Sequence, residues 1–132
     1  MNRTSVITGI IFIVIAIILG AFGAHALKEK LEAAQLSSFE VGVRYQMYHG
    51  LALLAIGLGA GQIGFSLKLF HRMIIIGAIA FSLSIYLLAI QDLIGIKLSF
   101  LGPLTPIGGS ILIIGWIVLL VKFIRSKSIP VA

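Results

Sequence analysis

Seven side chains in this 132-residue sequence could do chemistry together: His25, Glu40, Arg44, Gln46, His49, Tyr86 and Gln91. An arginine of this kind clamps carboxylate or phosphate through two parallel hydrogen bonds, and a neighbouring glutamate would orient it. The two histidines could move protons near neutral pH or ligate a metal. Glutamine and tyrosine would complete a partly enclosed site for an anionic lipid headgroup or a small anionic ligand. Within the Glu40 to His49 stretch, Glu40, Arg44 and Tyr48 share one helical face, with Tyr45, Gln46 and His49 on its sides.

Each residue also has a structural reading. Glu40 follows Ser37 at capping-box spacing and precedes Arg44 by one turn. Tyrosines suit the aromatic belt of a membrane interface. A histidine within an apolar run can be a hydrogen-bonded packing residue. His25 can face headgroups, and His71, beside Arg72, reads as interfacial.

These groups sit on elements with an unusual composition. Hydrophobic residues make up 60% of the chain and charged residues 11%. Four charge-free runs, Thr4 to Leu27, Tyr45 to Leu67, Met73 to Gln91 and Leu98 to Val121, each match the ~20 residues a helix needs to cross a bilayer core. Backbone groups facing lipid must bond internally, so helices are the economical solution. The expected fold is all-α: a four-helix transmembrane bundle with spans at about 4–27, 38–61, 70–91 and 105–124, forming a single domain over residues 1–132. The Lys28 to Phe39 connection is expected to hold a short extramembrane helix. Ser37 is expected to start the second span, and Thr105 to cap the fourth with Pro106 at its first position. Alternating spans then bring the seven candidate residues to one end.

Charge placement predicts orientation. One side of the membrane carries Arg3, Lys68, Arg72, Lys122, Arg125 and Lys127, the other Lys28, Lys30, Arg44 and Lys97, which places both termini in the cytoplasm. The net charge of +6 is dispersed without a basic patch interleaved with aromatics, which argues against nucleic acid as a partner. Arg3 before an apolar run ending in Ala24-His25-Ala26 resembles an export signal, but the run is too long and is expected to stay as the first span. Cysteine is absent, so disulfides, thiolate metal sites and iron–sulfur clusters are excluded. There is no zincin motif, phosphate loop or nucleophile elbow, and two histidines alone do not make a haem or metal pattern. No cofactor and no catalytic residue is assigned.

Small residues recur at helix-packing intervals: Ala16, Gly20 and Ala24; Gly57 and Gly61; and Ala78, Ser82, Tyr86 and Ala89. These stripes lead to the expectation of a homo-oligomer in contact with membrane lipids, with a larger membrane complex as a further possible partner.

The segments GAFGAHALK (Gly20 to Lys28), FEVGVRYQMYHGLALL (Phe39 to Leu54), SLSIYLLAI (Ser82 to Ile90) and LGPLTPIGG (Leu101 to Gly109) resemble the YgdD-type family of small bacterial membrane proteins, a domain of unknown function. That resemblance implies a four-helix protein of the bacterial cell membrane and brings no activity, cofactor or catalytic residue with it. The expected function is a self-associating binding or scaffolding protein with a polar site in the outer leaflet. An oligomeric transporter subunit or channel is the alternative, and a lipid-modifying membrane enzyme, for which no nucleophile and base can be named, is the third reading.

Overall fold

The computed structural model describes residues 1–126, and every regular element in them is helical. Four long helices carry the chain: α1 (Arg3–Phe22), α2 (Ala33–Gly59), α3 (Lys68–Ile94) and α4 (Leu104–Arg125). Lys127, counted above among the cytoplasmic cations, lies outside the described residues. A π-helical segment, Gly23–Leu27, extends α1. Among the described residues three helices are long and apolar enough to cross a membrane: α1 with its π extension, α3, and α4 with the turn before it. α2 is as long as α3, but Arg44, Gln46 and His49 make its run less apolar.

The helix boundaries follow local chemistry. Asn2 caps α1, its side-chain oxygen accepting from the Ser5 amide at 3.1 Å. Gly95, at φ 70°, ends α3 in the left-handed conformation that glycine adopts without strain.

Two expected boundaries shift. No separate helix stands in the Lys28 to Phe39 connection, because Glu32 and Gln35 form a reciprocal capping box and start α2 at Ala33, ahead of Ser37 and Glu40. Ala33, Ala34, Gln35 and Leu36 favour helix and run into the rest of α2 without a break. Likewise α4 starts at Leu104, after Pro103, so Thr105 is inside the first turn rather than at the cap. Pro106 remains in that turn, where a missing N–H leaves no bond unmade.

Each helix packs antiparallel on the next, giving the sequence α1–α2, α2–α3, α3–α4. α1 and α4, at the two ends of this staggered row, share no comparable interface. The core lies along its middle. Phe12, Leu53, Phe70, Ile74, Ala78, Leu112 and Leu119 fill one end, while Leu27, Leu31, Phe39, Tyr86 and Ala89 close the other. Ala16, Gly57, Ala78 and Ser82 of the small-residue stripes are buried within the chain, whereas Ala24 and Gly61 are exposed. The close approaches that stripes of this kind permit are therefore made largely inside one molecule.

Candidate functional site

The structure distributes six of the seven candidate residues over three environments and leaves His25 outside them. The first is a buried tie joining three helices. Gln46 of α2 donates through Nε2 to the Phe12 carbonyl of α1 at 3.0 Å and accepts through Oε1 from the Tyr86 hydroxyl of α3 at 2.8 Å. One turn away, Ser82 donates to the Gly42 carbonyl at 2.9 Å. Gln46 is 7% exposed and Tyr86 8%. Tyr86 also packs its ring on Phe39, 5.0 Å between centroids. Bonds like these cost little to keep and much to break, since a buried group stripped of its partner carries the full desolvation penalty.

His49 belongs to a second environment, the seam between α2 and α4. Its Nε2 lies 3.1 Å from Trp116 Nε1, and its Nδ1 lies 2.7 Å from the Tyr45 carbonyl. Indole nitrogen can only donate, so Nε2 is the acceptor and Nδ1 carries the proton. The imidazole is thus neutral, its tautomer set by its neighbours, with its one in-plane lone pair already occupied. A metal or haem iron at His49 would first have to displace Trp116. His25, in the π-helical segment, is exposed and does not join it. Among the described residues no three His, Asp or Glu side chains are arranged to hold a metal ion.

The third environment is the rim where α2 begins and α3 ends. Gln35 donates to Asp92 at 2.7 Å, clasping the two helices together. Gln91 accepts from the Leu98 amide at 3.0 Å and so holds the connection to α4 rather than a ligand site. Glu40 and Arg44 are exposed on α2 and line a cleft of about 200 Å³ with Gly20, Gly23, Phe39 and Val43. Among the described residues Arg44 makes no ion pair and no side-chain hydrogen bond. Of the seven candidates, then, Gln46 and Tyr86 touch, Glu40 and Arg44 share a cleft, and His25, His49 and Gln91 stand apart.

Sequence reasoning missed three partners. Trp116, which completes the His49 environment, stands in an apolar run that gives no sign of it. Ser84 donates to the Phe81 carbonyl and accepts from Thr105 at 2.7 Å, tying α3 to the start of α4. At the opposite end Ser5 Oγ lies 2.7 Å from His71 Nδ1, linking α1 to α3. Asn2 ahead of an apolar run signals a helix start, which places Ser5 in a first turn, but nothing local points to His71.

Residues 19–109 match the family model described as "Protein of unknown function (DUF423)". A UPF0382 membrane protein of Staphylococcus saprophyticus is 40% identical over 119 residues, which is 90% of this chain and 95% of that protein. Another, from Haemophilus influenzae, is 40% identical over 111 residues, covering 84% and 86% of the two chains. No solved structure matches. The matched region holds every residue that lines the Arg44 cleft, whereas two of the bonded partners, Phe12 for Gln46 and Trp116 for His49, lie outside it. With its apolar helices and these relatives, the chain belongs to the DUF423 family, a group of bacterial membrane proteins of unknown function.

Proposed function

We propose that the protein is a four-span membrane protein whose Arg44 cleft binds the phosphate of an anionic lipid headgroup. The observation that carries the reading is Arg44 itself: an exposed guanidinium on a long apolar helix, with no partner among the described residues. An unpaired cation facing lipid costs ~3 kcal/mol near a helix centre and less near the interface, so it reaches for headgroups or finds a counter-ion. A lipid phosphate accepts the guanidinium bidentately. Glu40, one turn nearer the start of α2, lines the same cleft without pairing with the arginine, and Gly20 and Gly23 leave room in front of it.

Topology supports the reading of four spans. Ser5 bonds to His71, so α1 and α3 begin at the same level. Two helices that start together and cross a bilayer in the same direction need a return crossing between them, and α2 is the helix that makes it. Its buried polar groups are bonded to α1, α3 and α4, which lowers the cost of carrying them through the core.

Substitution Arg44→Gln is expected to lower co-purifying phosphatidylglycerol about tenfold, the scale of one charged hydrogen bond. Mass spectrometry of protein extracted in mild detergent reads the lipid content, and thermal melting should be unchanged. Inorganic phosphate at millimolar concentration should not displace the lipid. If Arg44→Gln leaves the lipids as they were and instead turns an oligomer into a monomer, the arginine pairs with a second copy and the lipid reading fails.

Orientation is the remaining part of the proposal. With both termini cytoplasmic, Lys30→Cys should react with an impermeant maleimide on intact cells while Ser126→Cys reacts only after lysis. The chain has no native cysteine to interfere. The reverse labelling pattern would invert the topology and move the Arg44 cleft to the inner leaflet.

A further inference from the structure

A second cleft, separate from the Arg44 face, opens between α1 and α3 and encloses about 330 Å³. Its walls are apolar, with Ile15, Ile79 and Leu83 exposed at the rim. Three polar residues, Gln46, Ser82 and Tyr86, lie at its base, each almost fully buried. The volume is within the ~300–1,000 Å³ of small-molecule pockets, and an apolar lining with a few convergent polar groups is their usual composition.

The floor has hydrogen-bonding capacity to spare. A primary amide carries two N–H donors. Gln46 uses one on the Phe12 carbonyl, and among the described residues its nitrogen has no other acceptor. The side chain is more than nine-tenths buried. Depth narrows the occupant further. Gly57 accepts from the Asn2 amide at the end of the row where α1 begins beside Arg3. Gln46 is about three turns, or ~16 Å, along α2 from that level, close to the middle of a ~30 Å hydrocarbon core. Unlike the Arg44 side chain two residues before it, which is exposed and long enough to extend toward the headgroups, Gln46 is pinned by its bonds to Phe12 and Tyr86, and acyl chains offer no acceptor, so phospholipid does not answer the spare donor at that depth.

We propose that this cleft binds an apolar molecule dissolved in the bilayer that carries a carbonyl oxygen, of the alkyl-quinone class, with that oxygen accepting from Gln46 Nε2. Ser82 and Tyr86 give their own protons to the Gly42 carbonyl and to Gln46 Oε1. The ligand's acceptor is therefore read by the amide, while Ile15, Ile79 and Leu83 hold its ring and tail. Binding is the whole of the proposal; no electron transfer is included.

A benzoquinone bearing an alkyl tail with a photoreactive diazirine, incorporated into phosphatidylcholine nanodiscs with the full chain, tests it. Cross-links mapped by peptide mass spectrometry should fall on α1 and α3 at the rim. Excess decyl-benzoquinone should compete and decylbenzene, which has the tail without the carbonyl, should not. Two variants should each reduce labelling about tenfold, one hydrogen bond's worth for Gln46→Leu and occlusion for Ile79→Trp. Ile79 is an exposed rim residue, so its substitution reports on the cleft even if Gln46→Leu disturbs packing. Equal competition by decylbenzene, or undiminished labelling in Ile79→Trp, would overturn the proposal and leave the cleft to acyl chains. Neither result touches Arg44, whose reading stands or falls on its own lipid measurement.

Discussion

Gly9→Leu and Gly108→Leu are each expected to abolish the folded protein. A Cβ on Gly9 would be 2.7 Å from the Gly50 carbonyl oxygen and 2.7 Å from the Leu54 nitrogen. One on Gly108 would be 2.5 Å from the Phe81 nitrogen. In both places the obstacle is backbone of the neighbouring helix, which cannot rotate aside as a side chain can. Even alanine must push α1 from α2, or α3 from α4, at a cost of roughly 1–3 kcal/mol for overpacking; leucine separates the helices outright. Fluorescence-detected size exclusion from solubilised membranes, followed by a melting curve, measures the result. Gly59→Ala and Gly64→Ala are the controls, because nothing lies within 4 Å of either added carbon. They should stay within about 0.5 kcal/mol of the parent protein. A Gly9→Leu protein that melts like its parent would mean that the two helices are farther apart than described.

The next largest effect should come from the Gln46–Tyr86 tie. Gln46→Leu leaves the Tyr86 hydroxyl without its acceptor and the Phe12 carbonyl without its side-chain donor. Tyr86→Phe leaves only Gln46 Oε1 unpaired. Buried unpaired groups cost about 1–3 kcal/mol, while interhelical hydrogen bonds in membranes average about 0.6 kcal/mol, so the expected losses are about 2 and about 1 kcal/mol. The double variant should lose less than the sum, since the second substitution removes a group the first has already orphaned. Strict additivity in a double-mutant cycle would show that the two side chains do not act as a pair.

These two experiments probe different layers of what holds the chain together. The glycines govern how near the helices come, and the polar ties select which faces meet once they are near. In lipid the first layer supplies dispersion contacts that water-driven burial cannot, and the second penalises every rotation that would strand a polar group in hydrocarbon. The Arg44 cleft and the α1–α3 cleft occur where neither layer is complete: a guanidinium with no protein partner, and an amide with one donor left over.

Much was legible in the residues alone, for local reasons. Charge-free runs of spanning length set the all-helical architecture, because a backbone in lipid must bond within its own segment. Helix ends followed from short-range chemistry, and the one substantial shift, α2 starting at Ala33, traces to Glu32 and Gln35 forming the same motif that Ser37 and Glu40 only resemble. That Gln46 belongs with Tyr86, His49 with Trp116 and Gln35 with Asp92 could not be read so, since the partners lie 40, 67 and 57 residues apart. In a soluble helix the apolar stripe reveals which face turns inward. Here lipid-facing and protein-facing positions are equally apolar, so the rotation of each helix leaves almost no mark on the hydropathy pattern. Only packing decided it, by bringing glycine against backbone at Gly9 and Gly108 and thereby turning Gln46 and His49 toward partners and Arg44 away from them.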